Sequence, residues 1–174
     1  MIHTEHPFAD LPEDRDPVRR FRGRLANPVT IITSGEGAGR VGLTVSSLFV
    51  AEGEPGRVHA VVGPNSDLWD VSAQTERFVV HVCDVEDTGL AEVFAGLRPS
   101  PGGLFASTNT TPSKWGPLLD ELPDRLFCSL ESRVESGNSG VLVGVVDAVE
   151  LSDLKDPLVH FRGAYRGLAP GPQI

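Results

Sequence analysis

The stretch Val41-Gly42-Leu43-Thr44-Val45-Ser46-Ser47-Leu48-Phe49-Val50 constrains the fold more than any other part of the chain, because three hydroxyls interrupt an apolar, strand-like run. A buried hydroxyl without a partner costs roughly 1–3 kcal/mol. Thr44, Ser46 and Ser47 therefore require either a bound ligand or a backbone that bends onto them. Gly42 marks a bulge or a close approach, since a glycine in a strand weakens its packing. A local alternative is an ST-turn that closes the strand on itself.

The chain has 174 residues, 40% of them hydrophobic, and can bury a core without covalent staples. One domain over residues 1–174 is expected, with residues 1–15 as a flexible tail. Cys83 and Cys128 sit inside apolar, strand-like runs and read as small core residues rather than a disulfide. Met1 to Asp16 is acidic and proline-bearing, without the apolar core of a signal peptide. No apolar run approaches the ~18 residues of a membrane helix. A cytoplasmic protein with no membrane contact is the expectation. The formal net charge of −9 argues against nucleic-acid binding, which needs a basic face. His3 and His6 have metal-like spacing, but two ligands in a tail do not make a site, and no metal is expected.

Asp16 before Pro17 reads as a helix start, with the helix running through Phe21 to about Ala26. Residues 28–33 are β-branched and strand-like. Ser34 to Gly39 is a glycine-rich turn, not a dinucleotide fingerprint, because no βαβ unit follows it. Val41 to Val50 reads as a second strand and Arg57 to Gly63 as a third. Ser66 or Asn65 can cap a short helix beginning near Asp67. A strand from Phe78 to Asp84 and a helix from Asp87 to Gly96 follow. From Arg98 to Pro123 the chain is too long for an inert connector. Leu126 to Val134, Gly140 to Leu151 and Leu158 to Leu168 read as closing strands. Strands and helices alternate only in the middle, which favours a mixed antiparallel barrel over a doubly wound sheet.

Five segments in order resemble the flavin reductase-like proteins, from about Arg22 to Leu168. Gly42 to Ser47 is similar to their G-x-T-A-S-S segment, and Asn27 to Thr33 to their first barrel strand. Arg77-Phe78-Val79-Val80-His81-Val82 resembles R-F-x-V-N-V, and Leu90 to Gly96 resembles L-A-x-x-F-A-G. Pro157 to Tyr165 resembles the final P-L-x-x-x-x-G-x-Y strand. The resemblance implies a mainly β (α+β) fold, an antiparallel Greek-key split β-barrel with a few short helices. It also implies binding of FMN, or less often FAD, at a homodimer interface.

The same resemblance supplies a set of candidate site residues. The flavin would lie against Thr44, Val45, Ser46 and Ser47, with Val29 of the first strand among its contacts. Asn65 and Ser66 would face its phosphate, while Asp67 departs from the family's hydroxyl and is expected to cap the helix. Trp69 would either cover the phosphate–ribityl region or anchor that helix. The backbone of Val82 and Cys83, with Phe94 and Ala95, would follow the flavin ring edge and needs unpaired N–H and C=O groups there. His81 stands where the family has Asn and reads more readily as a cross-strand bond than as a catalytic group. Arg40, Arg57, Arg77, Arg98 and Arg125 are the arginines near the matched segments that could meet the phosphate.

Chemistry would belong to the flavin, with hydride supplied by NADH or NADPH beneath a Pro99–Trp115 lid carrying Phe105. His160 and Tyr165 on the last strand would stand nearest the reacting edge. The family's G-D-H histidine is missing, since Gly137-Asn138-Ser139-Gly140 occupies that place. Three readings follow. The first is an NAD(P)H-dependent flavin reductase, with a separate flavin-dependent monooxygenase as its candidate partner. The others are a flavoprotein holding FMN tightly for another redox partner, and a ligand-binding barrel without catalysis.

Overall fold

In the computed structural model, which describes residues 16–168, two consecutive strands occupy opposite edges of one sheet. The sheet is built from β2 (Thr30–Ser34), β3 (Val41–Val45), β4 (Leu48–Ala51), β5 (Arg57–Val62), β6 (Arg77–Val82), β9 (Arg125–Ser136) and β10 (Ser139–Glu150). Their order is β3-β2-β6-β9-β10-β5-β4, and every neighbouring pair is antiparallel. Only Ser46 and Ser47 separate β3 from β4, so the sheet curls until its edges approach, giving a half-barrel. The run expected as one strand from Val41 to Val50 is therefore two, broken at the paired serines. The expected tail, with His3 and His6, lies outside the described residues, as does the end of the chain from residue 169.

A small sheet, β1 (Asn27–Pro28), β11 (Val159–Phe161) and β12 (Ala164–Arg166), flanks the half-barrel in the order β1-β11-β12. Helix α1 (Pro17–Arg22) starts as the sequence requires, the Asp16 carboxylate accepting from the Val18 and Arg19 N–H groups. It stops at Arg22, four residues earlier than expected. Helix α2 (Asp67–Thr75) plugs the inside of the curl, burying Leu68, Trp69 and Ser72. Trp69 lies over Gly140 of β10, where a Cβ would come within 2.4 Å of the ring. The Arg133 guanidinium stacks 4.0 Å from the ring centroid and also donates to the Trp69 carbonyl. Of the two roles open to Trp69, the structure shows the anchor.

The outer side of β2 and β6 is covered as well. Helix α3 (Thr88–Phe94) and the segment after it bury Ala91, Phe94, Phe105, Leu119 and Leu122 against Val29, Ile31 and Cys83. All five residues of β2 are consequently buried, the pattern of a strand with no wet face. His81 is trapped in this layer with no exposed surface. Its Nδ1 lies 3.1 Å from the Ile31 carbonyl, and its Nε2 accepts from the Leu119 N–H at 3.2 Å. The proton must therefore sit on Nδ1 in a neutral ring.

The long segment is not a loose lid. It contains a small ladder, β7 (Thr110–Thr111) on β8 (Leu118–Leu119), and the Thr33 hydroxyl donates to the Pro117 carbonyl. Phe105, expected at a mobile tip, packs edge-on against Phe94 at 5.2 Å, with the Arg40 guanidinium 4.6 Å from its ring centroid. Trp115 lies 5.0 Å from Phe127 and its indole N–H donates to Asp147. An aromatic ring on a lid would have to sit in water between ligands, whereas here both rings find the barrel wall.

Two outcomes follow from this packing. Phe105→Ala should cost about 3–5 kcal/mol in urea unfolding, the range for truncating a buried aromatic ring. Burial is the main cause that pushes His81 from its ordinary 6.5 down to about 3. The neutral form is favoured only when folded, so this contribution is complete above pH 6.5 and is lost as pH falls toward 3. The loss should be about 1.4 kcal/mol per pH unit in that window. His81→Asn, which can keep the bond to the Ile31 carbonyl and carries no ionisable group, should flatten that acid limb in urea midpoints measured against pH.

Candidate functional site

The corner between β3 and β4 carries two hydroxyls that the fold itself does not use. Thr44 is engaged: its hydroxyl donates to the Ala91 carbonyl of α3 at 2.7 Å. Val45 is 3% exposed, and its carbonyl accepts from the Thr30 hydroxyl. The Ser47 carbonyl accepts from the Val61 N–H at 2.8 Å, tying the corner to β5. The Ser46 and Ser47 side chains are half-buried and make no hydrogen bond among the described residues. Gly42 has a separate reason, since a Cβ there would lie 2.4 Å from the Phe94 ring. The backbone thus bends through the hydroxyl run, and only part of that run stays open to a ligand.

Strand β5 leads from the corner to the start of α2, so Asn65 lies four residues beyond Val61, within about 14 Å by chain reach. Asn65 is exposed. Ser66, not Asp67, is the N-cap: its hydroxyl accepts from the Trp69 N–H and donates to the Gly63 carbonyl. Asp67 instead occupies the first turn, where a carboxylate suits the helix dipole.

The ring-edge expectation meets a correction. Val82 N–H donates to the Asp124 carbonyl, Cys83 N–H to the Val29 carbonyl, and the Cys83 carbonyl accepts from the Leu158 N–H. Val29 N–H in turn donates to the Leu158 carbonyl. Residues distant in sequence complete this ladder, so the unpaired groups expected on Val82 and Cys83 are taken. Phe94 is 2% exposed within the outer apolar layer, and Ala95 is the half-buried C-cap of α3.

His160 and Tyr165 face each other across β11 and β12, their rings edge to face at 5.8 Å. Burial, and then the Arg22 guanidinium, push His160 below its ordinary range, which keeps the imidazole neutral at pH 7. Burial chiefly raises the Tyr165 phenol, so it stays protonated.

Ser46 and His160 share a cleft of about 570 Å³ with Asn27 and five arginines. Arg19, Arg20, Arg22 and Arg24 come from α1 and the turn after it, and Arg162 from the β11–β12 hairpin. None of the arginines singled out from the sequence lines it. Arg57 is paired with Glu131, Arg98 with Glu92 and Arg125 with Glu150, while Arg40 covers Phe105 and bonds Thr110. Arg77 is exposed at the start of β6. The run Arg19-Arg20-Phe21-Arg22-Gly23-Arg24 was the available signal, overlooked because it precedes the matched barrel strands. A larger cleft, about 730 Å³, lies at the other end of β3 beside Arg40 and Lys114. Of the expected site residues it gathers only Arg40 among those described.

The corner therefore combines two unpartnered hydroxyls, a neutral imidazole and concentrated positive charge. That chemistry suits a polar, phosphorylated ligand and fits a flavin nucleotide. The model of the flavin reductase like domain matches residues 22–169. The chain is 32% identical over 165 residues to the reductase subunit HsaB of a flavin-dependent monooxygenase from Rhodococcus jostii (strain RHA1), covering 91% of this chain and 82% of that one. It is 29% identical over 163 residues to the NADH-dependent FMN reductase AsuE2 from Streptomyces nodosus subsp. asukaensis, covering 88% and 85%. Among solved structures, nitrilotriacetate monooxygenase component B from Mycobacterium thermoresistibile superposes with a TM-score of 0.81 at 26% identity, covering 90% and 88%. The half-barrel, the corner and the match over most of the chain agree: this protein belongs to the flavin reductase like domain family.

Proposed function

We propose that the protein is a single-domain NAD(P)H:flavin oxidoreductase that reduces FMN, or FAD, and serves as the reductase component of a two-component monooxygenase. The observation that carries this reading is the family match over residues 22–169, joined to relatives named as NADH-dependent FMN reductase and monooxygenase reductase subunit. When bound, the flavin supplies the redox chemistry by accepting hydride. The protein's part is binding, orientation and exclusion of water. Ser46 and Ser47 offer hydroxyls to the flavin, with the Thr44–Val45 backbone behind them, and Asn65 lies toward its phosphate beside the Ser66 cap. His160 and Tyr165, both uncharged at neutral pH, line the reacting side without adding charge to it.

A homodimer is part of the proposal. Strand β10 presents Val141, Val143 and Val145 on its outer face, opposite the inward Gly140, Leu142 and Gly144. Its neighbour β5 adds Val61, 40% exposed, and β4 adds Phe49, 60% exposed and stacked on His59 at 4.5 Å. An outer sheet face normally alternates to polar side chains. An apolar one of this extent calls for a cover, and a second copy meets it symmetrically. The buried, unpaired Cys83 and Cys128 suit the reducing cytoplasm. Among the described residues no helix is long and apolar enough to cross a membrane.

A flavoprotein that retains FMN for another partner is the second reading. The Gly137-Asn138-Ser139 turn of the β9–β10 hairpin favours it, since the histidine that the family resemblance implies there is missing. Anaerobic mixing separates the two: bleaching of added FMN absorbance by NADH or NADPH supports the reductase. Colour that survives dialysis, with no bleaching, supports the second. Ser46→Ala with Ser47→Ala should weaken FMN by about 1–3 kcal/mol with the circular dichroism unchanged. Unaltered affinity would remove the corner from the site. Val143→Glu should turn a dimer into a monomer in sedimentation velocity, and a wild-type monomer at micromolar concentration would refute the shared interface.

A further inference from the structure

The β11–β12 hairpin turns on two residues, Arg162 and Gly163, with Phe161 paired to Ala164. Both have positive φ, 52° and 80°, which makes the turn type I′. That turn favours Asn-Gly or Gly-Gly, because a long side chain in the left-handed region costs stability. Arginine at the first position is a local conflict that folding alone does not require. Its backbone N–H donates to the Gly23 carbonyl at 3.1 Å, which fixes the tip of the hairpin against the turn after α1. Arg162 is thereby held beside Arg22 and Arg24 at the cleft that contains Ser46 and His160.

Among the described residues no carboxylate lines this cleft, although the chain carries a net charge of −9. Arg22, Arg24 and Arg162 make no ion pair among the described residues, whereas Arg57, Arg98 and Arg125 are each matched to a glutamate. Gathering Arg22, Arg24 and Arg162 with no ion pair among the described residues is unfavourable in the unliganded protein. An anion reverses the sign of that cost, and guanidinium groups match phosphate oxygens in geometry as well as charge.

We propose that the arginine cleft docks the diphosphate of the nicotinamide dinucleotide, making Arg22, Arg24 and Arg162 the residues that hold the reductant. This rests on the reductase reading and adds to it where the hydride donor binds. Two placements favour the reductant over the flavin. The flavin phosphate already has a candidate position near Asn65, reached along β5 from the corner. The arginines lie on the α1 and β11–β12 side, and their cleft is lined by Ser46 and not by Asn65. A dinucleotide whose diphosphate sits there can extend its nicotinamide toward the corner. FAD contains the same diphosphate, so the experiment must separate the two sources.

Arg162→Asn is the informative substitution, because asparagine relieves the backbone conflict while removing the charge. It should melt at the wild-type temperature or higher. It should raise KM for NADH about tenfold, with kcat changed less than about twofold, as expected for lost ground-state binding to a charged group. Calorimetric titration with ADP, which carries the diphosphate but needs no turnover, should show the same loss, and FMN affinity should not change. Arg22→Gln with Arg24→Gln should add to the effect. An FAD affinity that falls while the NADH KM holds would assign the cleft to the flavin dinucleotide and overturn the proposal. So would a folded triple variant that binds ADP and NADH like the wild type. Failure of the reductase reading is separable: wild-type protein would then leave FMN unbleached, while ADP titration of wild type and variants would still decide the cleft.

Discussion

The two residues Ser46 and Ser47 carry the backbone from one edge of a seven-stranded antiparallel sheet to the other, and the rest of the molecule depends on that short crossing. A flat sheet of seven strands would place its edges about 28 Å apart at the usual strand spacing, far beyond the reach of a two-residue link. The sheet must curl, and the curl creates an interior that α2 and Trp69 fill. Closure also determines where polar chemistry can sit. The corner satisfies its backbone through Val61, while its two serine hydroxyls have no partner among the described residues. The place where the barrel closes is therefore the place left open to a ligand.

Curling would leave the back of β2 and β6 exposed, and the second half of the chain answers that problem. Helix α3, Phe105 and the Leu119–Leu122 segment cover those strands and seal His81 in a neutral state. The same residues explain why the long segment reads as a lid but behaves as a wall. Its prolines, glycines and threonines give irregular backbone. Its Phe105, Trp115, Leu119 and Leu122 provide enough apolar surface to hold it down. Hydroxyl bonds fasten the irregular backbone further, from Thr108 to Glu121 and from Thr111 to Asp120.

Local signals were legible in the sequence. The Asp16-Pro17 helix start, the serine cap at the head of α2 and the strand–helix–strand middle all depend on neighbours within a turn or two. The barrel class was legible through five ordered segments. Which polar groups remain unpaired was not, because that depends on contacts distant along the chain. Val82 and Cys83 look like open backbone until Asp124, Val29 and Leu158 are brought alongside them. Phe105 looks mobile until Phe94 and Arg40 enclose it. The arginine run at 19–24 is visible in the sequence, but nothing within it assigns a role. Its meaning comes only from the hairpin that brings Arg162 to the same cleft.

The distribution of charge ties the fold to the chemistry. A protein with a net charge of −9 repels an anionic nucleotide at long range, but at physiological ionic strength charges beyond about 8 Å are largely screened. What an approaching phosphate meets is therefore local. On the barrel wall each of Arg57, Arg98 and Arg125 faces a glutamate, which cancels its field. At the corner the positive charge is held differently. The arginines of α1 sit in its last turn, where the helix dipole favours cations, and Arg162 is pinned through its backbone. Among the described residues Arg22, Arg24 and Arg162 form no ion pair, so their guanidinium donors stay available. Attraction of a phosphorylated ligand then needs no net positive protein, only one face where Arg22, Arg24 and Arg162 stand without an ion pair among the described residues.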